Sequence, residues 1–308
     1  MTGCLARILV PLGMAALLFV LACMTGLIVI RDGKPVLSLE TVHVPEVGDA
    51  GKALEGVGKT LSGLSWPYSL KSSGLTVKTL RAGKGMATLV CADGYTMLVD
   101  AGSGANWAVL QAYLCGVRQL QVAVATGSED AYLGGMARAV SMLHPQYLLY
   151  QDSQTKGSAY NAMLEAAREA GTSAMVPKTG MSFMLGRARV TCIAPLWTPH
   201  VESRDDSLVF RVDYGNSSVL LGGTLTAQGM QELAQSRQDL SADLVICPRG
   251  GREEAWDASF FQKAAPKTAF LAKDADNMVQ LRLLSLGMQV KSGTVLTAWT
   301  DGETWSVR

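Results

Sequence analysis

Histidine is nearly missing from this sequence. Three occur in 308 residues, His43, His144 and His200, and no two of them stand at the spacing that places a pair on one metal ion. Six cysteines form no C-x-x-C pair, which argues against a zinc knuckle and a thioredoxin-like motif. There is no G-x-S-x-G elbow, no P-loop and no D-x-D-x-D calcium loop. Ser128 has no neighbouring histidine to serve as its base. A surplus of charge is lacking too: 27 Lys and Arg against 26 Asp and Glu leave a formal +1. That balance disfavours a broad basic surface for polyanions and leaves only local patches.

What is present is apolar. Hydrophobic residues make up 48% and charged residues 17%, enough to bury a sizeable core and too apolar for disorder. The stretch from Ile8 to Ile30 carries no charge and is flanked by Arg7 and by Arg31-Asp32. As a helix it would extend roughly 35 Å, sufficient to cross a bilayer. A cleaved signal peptide is the competing reading, but the apolar run continues past Cys23 and lacks an A-x-A site. The V-L-A-C at 20–23 is a loose lipoprotein-type match, followed by a further apolar run. The expectation is a short cytoplasmic stub at 1–7, an uncleaved transmembrane signal anchor at 8–30 and a connector at 31–74. Residues 75–308 then form the extracytoplasmic domain of a single-pass cell-membrane protein. Cys91, Cys115, Cys192 and Cys247 lie in that domain, several in apolar runs where buried free thiols are ordinary. Their disulfide state stays open.

In the connector, Leu54, Val57, Leu61 and Leu64 have helical spacing that nearby glycines weaken. From Leu75 the pattern becomes dense. LTVKTLRAG, MATLVCADG and YTMLVDAG read as strands, the last two joined by a hairpin turn at Asp93-Gly94. A helix at about 105–115 ends at Gly116, and QVAVA at 121–125 is a buried strand. The loop TGSEDAYLGG at 126–135 leads into a helix near 133–143. The second half has strands in QYLLYQD and in SAMVPKTGMSFMLGRARVTCIAP, and a hairpin turning at Gly215-Asn216. Its remaining strands are ADLVICP, KTAFLA and the terminal pair TVLTAWTDGETWSVR, with helices at SAYNAMLEAAREAG, about 226–237, 256–263 and 277–286. Strands gathered in hairpins with helices between, in two similar halves, favour an α/β (α+β) sandwich over a doubly wound parallel sheet.

The order of these segments resembles the metallo-β-lactamase fold superfamily along nearly all of 75–308, and within it the extracellular hydrolase-like domain of ComEC-type DNA-uptake proteins. YTMLVDAG is similar to the family's L-I-D-A-G strand end and keeps Asp100. Thr126 to Gly135 stands where the family has T-H-x-H-x-D-H-x-G-G. DDSLVFRVDYGNSSVLLGG resembles the hairpin that ends in Gly-Asp, and ADLVICPRGG the strand that carries G-H-H-G-S. The resemblance implies a four-layer αββα sandwich and, in relatives, two zinc ions that activate a bridging water.

The departures fall on the chemistry. At the first-loop ligand positions stand Gly127, Glu129, Ala131 and Tyr132, and at the metal-bridging aspartate stands Gly223. The histidine at the later strand end becomes Pro248 or Arg249, 273–277 holds no histidine, and the turn aspartate of the opening motif is Met86. The expectation is therefore a metal-free, cofactor-free relative that binds rather than catalyses. Its vestigial pocket would be formed by Lys84, Asp100, Glu129, Asp130, Tyr132, Asp206, Arg249 and Lys273. An arginine in place of a ligand supplies positive charge, so a Glu129–Arg249 pair is expected in the vacated site. Arg252 borders the same rim. The alternative is a nuclease- or phosphodiesterase-like hydrolase with a Mg²⁺ or Ca²⁺ site rebuilt from Glu129, Asp130, Asp205, Asp206, Asp274 and Asp276. A protein or a small anionic ligand is the expected partner besides the membrane, and nucleic acid enters through the family comparison only.

Overall fold

The computed structural model describes residues 28–31, 34–37, 70–80, 82–104, 106–154, 156–196, 200 and 203–308. The chain divides into two compact units, Met1–Leu64 and Ser65–Arg308. In the first, β1 (Ile28–Arg31) pairs antiparallel with β2 (Lys34–Leu37). The expected anchor at 8–30 thus ends in a strand, as the β-branched run Ile28-Val29-Ile30 favours. Residues 8–27, the helical spacing at 54–64 and His43 lie outside the described residues. Among those described, no helix is long and apolar enough to cross a membrane.

The second unit is built on two sheets. One contains β3 (Leu75–Leu80), β4 (Ala87–Ala92), β5 (Tyr95–Val99), β6 (Val122–Ala125), β7 (Tyr147–Tyr150) and β8 (Ser173–Met175), with β16 (Thr297–Thr300) and β17 (Trp305–Val307) beyond β3. The other runs in order β15 (Gln289–Gly293), β14 (Thr268–Ala272), β13 (Leu244–Ile246), β12 (Ser217–Leu221), β11 (Val209–Tyr214), β10 (Ala188–Ala194), β9 (Ser182–Leu185). In each sheet hairpin strands meet antiparallel and strands linked through helices meet parallel.

Strand periodicity separates the layers. Val122 and Val124 face the other sheet while Ala123 and Ala125 face helices, because successive side chains leave a strand on opposite faces. Val90, Met97, Val190, Phe210, Val212 and Phe270 fill the space between the sheets. Helices α1 (Trp107–Leu114), α3 (Met136–Leu143) and α4 (Ser158–Glu169) cover the first sheet. The second is covered by α5 (Ala227–Gln235), α6 (Ala258–Ala264) and α7 (Asn277–Ser285). The architecture is the expected αββα sandwich.

Two readings of the sequence need correction. The helix expected near 133–143 is α3, which begins at Met136, and a short helix not expected from the sequence, α2 (Asp130–Leu133), precedes it across Gly134-Gly135. A Cβ at Gly134 would lie 2.6 Å from the Ser103 carbonyl oxygen, and one at Gly135 2.7 Å from that of Ala101. The break lets the loop after β5 pass close. The edge strand β15 has no counterpart in the sequence reading. Its residues Gln-Val-Lys-Ser-Gly are largely exposed and lack apolar alternation, as an edge that must resist self-pairing does.

Phe210 is fully enclosed between the sheets. Phe210→Ala is expected to destabilise the protein by about 3–5 kcal/mol, through lost burial and the cavity left behind. Chemical denaturation measures this, and a loss below about 1 kcal/mol would contradict the inter-sheet core assignment.

Candidate functional site

The site forms where the C-terminal ends of β5, β6, β12 and β13 approach one another. Its lowest layer is a buried carboxylate. Asp100, 4% exposed and with φ +56°, follows β5 and turns its side chain under the β6 loop. Its Oδ1 accepts the Thr126 N–H at 2.8 Å and its Oδ2 the Thr126 hydroxyl at 2.7 Å. Burial pushes the Asp100 carboxyl up to about 7, the two bonds from Thr126 pull it down, and the charge of Glu129 adds to the rise. The Thr126 carbonyl in turn accepts the Leu208 N–H at 2.8 Å, just before β11. One residue thus ties the two sheets together at the base of the site.

Above this layer lies a cavity of about 20 Å³ bordered by Met86, Asp100, Tyr132, Gly223 and Cys247. That is room for about one water molecule. Tyr132 is 4% exposed, and burial holds its phenol well above the usual range. Burial alone does the same to the Cys247 thiol.

Glu129 and Arg249 meet next to Tyr132, which lines the cavity. Arg249 Nη1 lies 3.1 and 3.0 Å from the two Glu129 carboxylate oxygens, so the pair expected from the sequence forms. Arg249 Nε donates to Glu254 at 3.1 Å, and its guanidinium carbon is 5.8 Å from the Tyr132 ring centre. Arg204 approaches the same Glu129 carboxylate at 3.7 Å. Burial opposes the Arg249 charge, yet Tyr132, Glu129 and Glu254 together hold its pKa above the ordinary value. The loop Pro248-Arg249-Gly250-Gly251 directs this side chain. Residues 249–251 all have positive φ, at 51°, 68° and 86°. The turn is anchored by the Arg249 N–H on the Gly223 carbonyl at 2.8 Å. At Arg249, which has a Cβ, such a conformation is strained and persists because the surroundings fix it.

The remaining residues named from the sequence go elsewhere. Lys84, Asp130 and Lys273 are exposed. Asp206 is buried and faces His200, whose Nδ1 lies 2.6 Å from it and whose Nε2 lies 2.8 Å from Glu232. Burial disfavours the charged imidazole, but the two carboxylates outweigh it and raise the His200 pKa. Asp205 accepts from the Thr226 hydroxyl and the Gly229 N–H and so holds the start of α5. Asp276 caps α7 through the Met278 N–H at 2.7 Å, and Asp274 pairs with Arg252. The carboxylates proposed for a rebuilt cation site are therefore engaged in separate structural tasks, apart from Glu129 and the exposed Asp130. His144 is exposed at the end of α3. Arg204, Glu232 and Glu254 were missed, since nothing in their local sequence separates them from solvated surface charges.

The dinuclear ions implied by the resemblance do not fit these residues. Gly223 has φ +58°, and a Cβ there would lie 2.5 Å from the Leu208 carbonyl oxygen and 2.7 Å from Ser207 Oγ. A Cβ at Gly127 would lie 2.3 Å from Thr224 Oγ1. At Gly223 the Leu208 backbone and the Ser207 side chain, and at Gly127 the Thr224 side chain, occupy the space a ligand side chain would need.

No family model matches the chain. Over 162 residues it is 22% identical to ComE operon protein 3 of Bacillus subtilis (strain 168), a match that covers 53% of this chain and 21% of that protein. The chain spans about a fifth of that relative's length. Among solved structures, CmlA, a diiron β-hydroxylase from Streptomyces venezuelae, aligns with TM-score 0.51 at 13% identity, over 74% of this chain and 54% of its own. YhfI from Bacillus subtilis, a metallo-β-lactamase fold protein, aligns at 0.48 and 14% identity over 72% of this chain and 99% of its own. At 13% identity the CmlA alignment speaks to the fold alone.

Two outcomes test this geometry. Gly94 shares a positive φ of 88° but has open space around its α-carbon, so Gly94→Ala carries only the conformational cost of about 1–2 kcal/mol. Gly223→Asp is expected to cost at least about 3 kcal/mol, the same strain plus the clash, and to confer no metal binding. Equal stability of the two variants in denaturant would refute the crowding at Gly223. The second outcome concerns Asp100. Its folded pKa of about 7 lies above the unfolded value of about 4, so the folded state binds the extra proton between them. Folding stability should therefore fall as pH rises from about 4 to about 7. Asp100→Asn, which can keep both contacts to Thr126, should flatten that slope in denaturation midpoints measured against pH.

Proposed function

We propose that this chain, which has the metallo-β-lactamase fold, is a metal-free, non-catalytic relative of the hydrolase-like domain of ComEC-type proteins. It would act as a binding or scaffold module. The observation that carries this reading is the closure of the site: Gly223 and Gly127 leave no space for side chains at the bridging and first-ligand positions. The Arg249–Glu129 pair lies beside Tyr132, one of the residues that line the remaining water-sized cavity. Dinuclear hydrolysis requires ligands on several loops around a water that both ions polarise. Here the residues facing that space carry a phenol, a thiol, a threonine hydroxyl, a buried carboxyl held by Thr126, and apolar side chains.

The apolar run at 8–30 supports attachment to the cell membrane through the N-terminal segment, with the larger unit on the extracytoplasmic side. The sequence likeness to ComE operon protein 3 supports the relation to ComEC-type hydrolase domains. In this reading the module contacts a protein partner or a small anionic ligand, and zinc has no role.

The test combines metal analysis with turnover. Protein purified after growth in zinc- and manganese-supplemented medium should contain well under one metal ion per chain. It should hydrolyse bis(p-nitrophenyl) phosphate no faster than buffer in the presence of Zn²⁺, Mn²⁺ or Mg²⁺. Stoichiometric metal, together with hydrolysis that Glu129→Ala abolishes, would establish the rebuilt-site hydrolase instead.

A further inference from the structure

His200 is a buried histidine that does not line the cavity, 8% exposed in the segment between β10 and β11. Its ring lies between two carboxylates. Nδ1 is 2.6 Å from Asp206 Oδ1 and Nε2 is 2.8 Å from Glu232 Oε2. Asp206 belongs to the turn Ser203–Asp206 and also accepts the His200 backbone N–H, at 3.1 and 3.2 Å. Glu232 belongs to α5, and its other oxygen accepts from Gln228 at 3.3 Å. A neutral imidazole has one N–H and one lone pair. Between two carboxylate oxygens at these distances it would turn that lone pair on one of them. The doubly protonated ring satisfies both, and each contact is then charge-assisted.

Neighbouring charged groups are placed otherwise. On the turn, Arg204 lies 3.7 Å from Glu129, and Asp205 accepts from the Thr226 hydroxyl and the Gly229 N–H. On the 253–255 turn, which packs against α5, Glu254 is held by Arg249 and Glu253 is exposed. Burial disfavours the charged ring, but the hydrogen bonds and charges of Asp206 and Glu232 outweigh it, and the His200 pKa is raised. One turn thus carries both a carboxylate that grips His200 and the arginine that reaches Glu129.

We propose that His200 is a proton-operated clasp: as the imidazolium it ties the turn Ser203–Asp206 to α5 and holds Arg204 beside Glu129, and on losing a proton it releases Glu232 and loosens that turn. A raised folded pKa makes the clasp's contribution complete below the ordinary histidine value of about 6.5. It is lost as pH rises through the folded value. Alkaline conditions then leave Glu129 to Arg249 alone, so the charge of the rim depends on a proton held outside the cavity.

Asp100 also loses a proton near 7, so the ring itself, rather than overall stability, is the observable. In full-length protein carrying ¹⁵N-labelled histidine, His43→Gln and His144→Asn assign the His200 ring by elimination. Both of its nitrogens should be protonated at about pH 7, with a titration midpoint above the ordinary value of about 6.5. Glu232→Gln, which keeps an acceptor and removes the charge, should lower that midpoint by about one unit or more. Hydrogen exchange in the peptide 203–210, corrected for its intrinsic pH dependence, should accelerate at the same midpoint in the native chain. A single protonated nitrogen at about pH 7, a midpoint that Glu232→Gln leaves in place, or exchange in 203–210 that ignores the His200 titration would each overturn the proposal. Where the Glu232 variant fails to fold, the ring titration and the exchange of the native chain decide.

Discussion

The contact between Asp100 and Thr126 sets the geometry of everything above it. A carboxylate this deeply buried is costly unless its lone pairs are used, and the Thr126 N–H and hydroxyl occupy both oxygens. That fixes the first turn after β6. With Thr126 fixed, its carbonyl reaches the Leu208 N–H and pins the start of β11, and the hairpin β11–β12 delivers Gly222-Gly223 directly over Thr126. The crowding at Gly223 follows from this chain of contacts, since a Cβ added there would meet the Thr126 Cβ at 3.0 Å.

The same geometry explains why an arginine can occupy the rim. A metal centre concentrates positive charge that surrounding carboxylates balance. Without ions, a lone Glu129 on this partly enclosed rim would be poorly compensated, and Arg249 supplies the missing charge through a two-oxygen contact. The strained turn at 248–251 is the structural cost of aiming it there. Tyr132 then fills volume beneath the guanidinium with a ring rather than a coordinating imidazole.

Much of this was legible in sequence because it rests on period and punctuation. Alternation in β5, β6 and β11, the hairpin turns at Asp93-Gly94 and Gly215-Asn216, and the glycine-closed helices all state their structure locally. The break at Gly134-Gly135 was not legible, since it depends on the carbonyls of Ser103 and Ala101 passing within a side chain's reach. Strand β15 was hidden because an exposed edge carries no hydrophobic alternation. At the site, Glu129 and Arg249 could be paired by their places in the family frame. The roles of Arg204, Glu254 and Glu232 arise from loops that meet only in the folded state.

The charge balance of the rim bears on what can bind there. Arg249 and Arg204 face Glu129 and Glu254, two positive groups against two negative ones. A phosphate would have to displace a carboxylate whose two oxygens Arg249 already holds, exchanging one charge-assisted contact for another with little net gain. A protein surface need not break the pair, because it can add hydrogen bonds and apolar contact around it. The closed cavity, the satisfied arginine and the near-neutral chain all reduce the attraction for a free anion. On electrostatic grounds a small anion would gain this rim only in competition with Glu129.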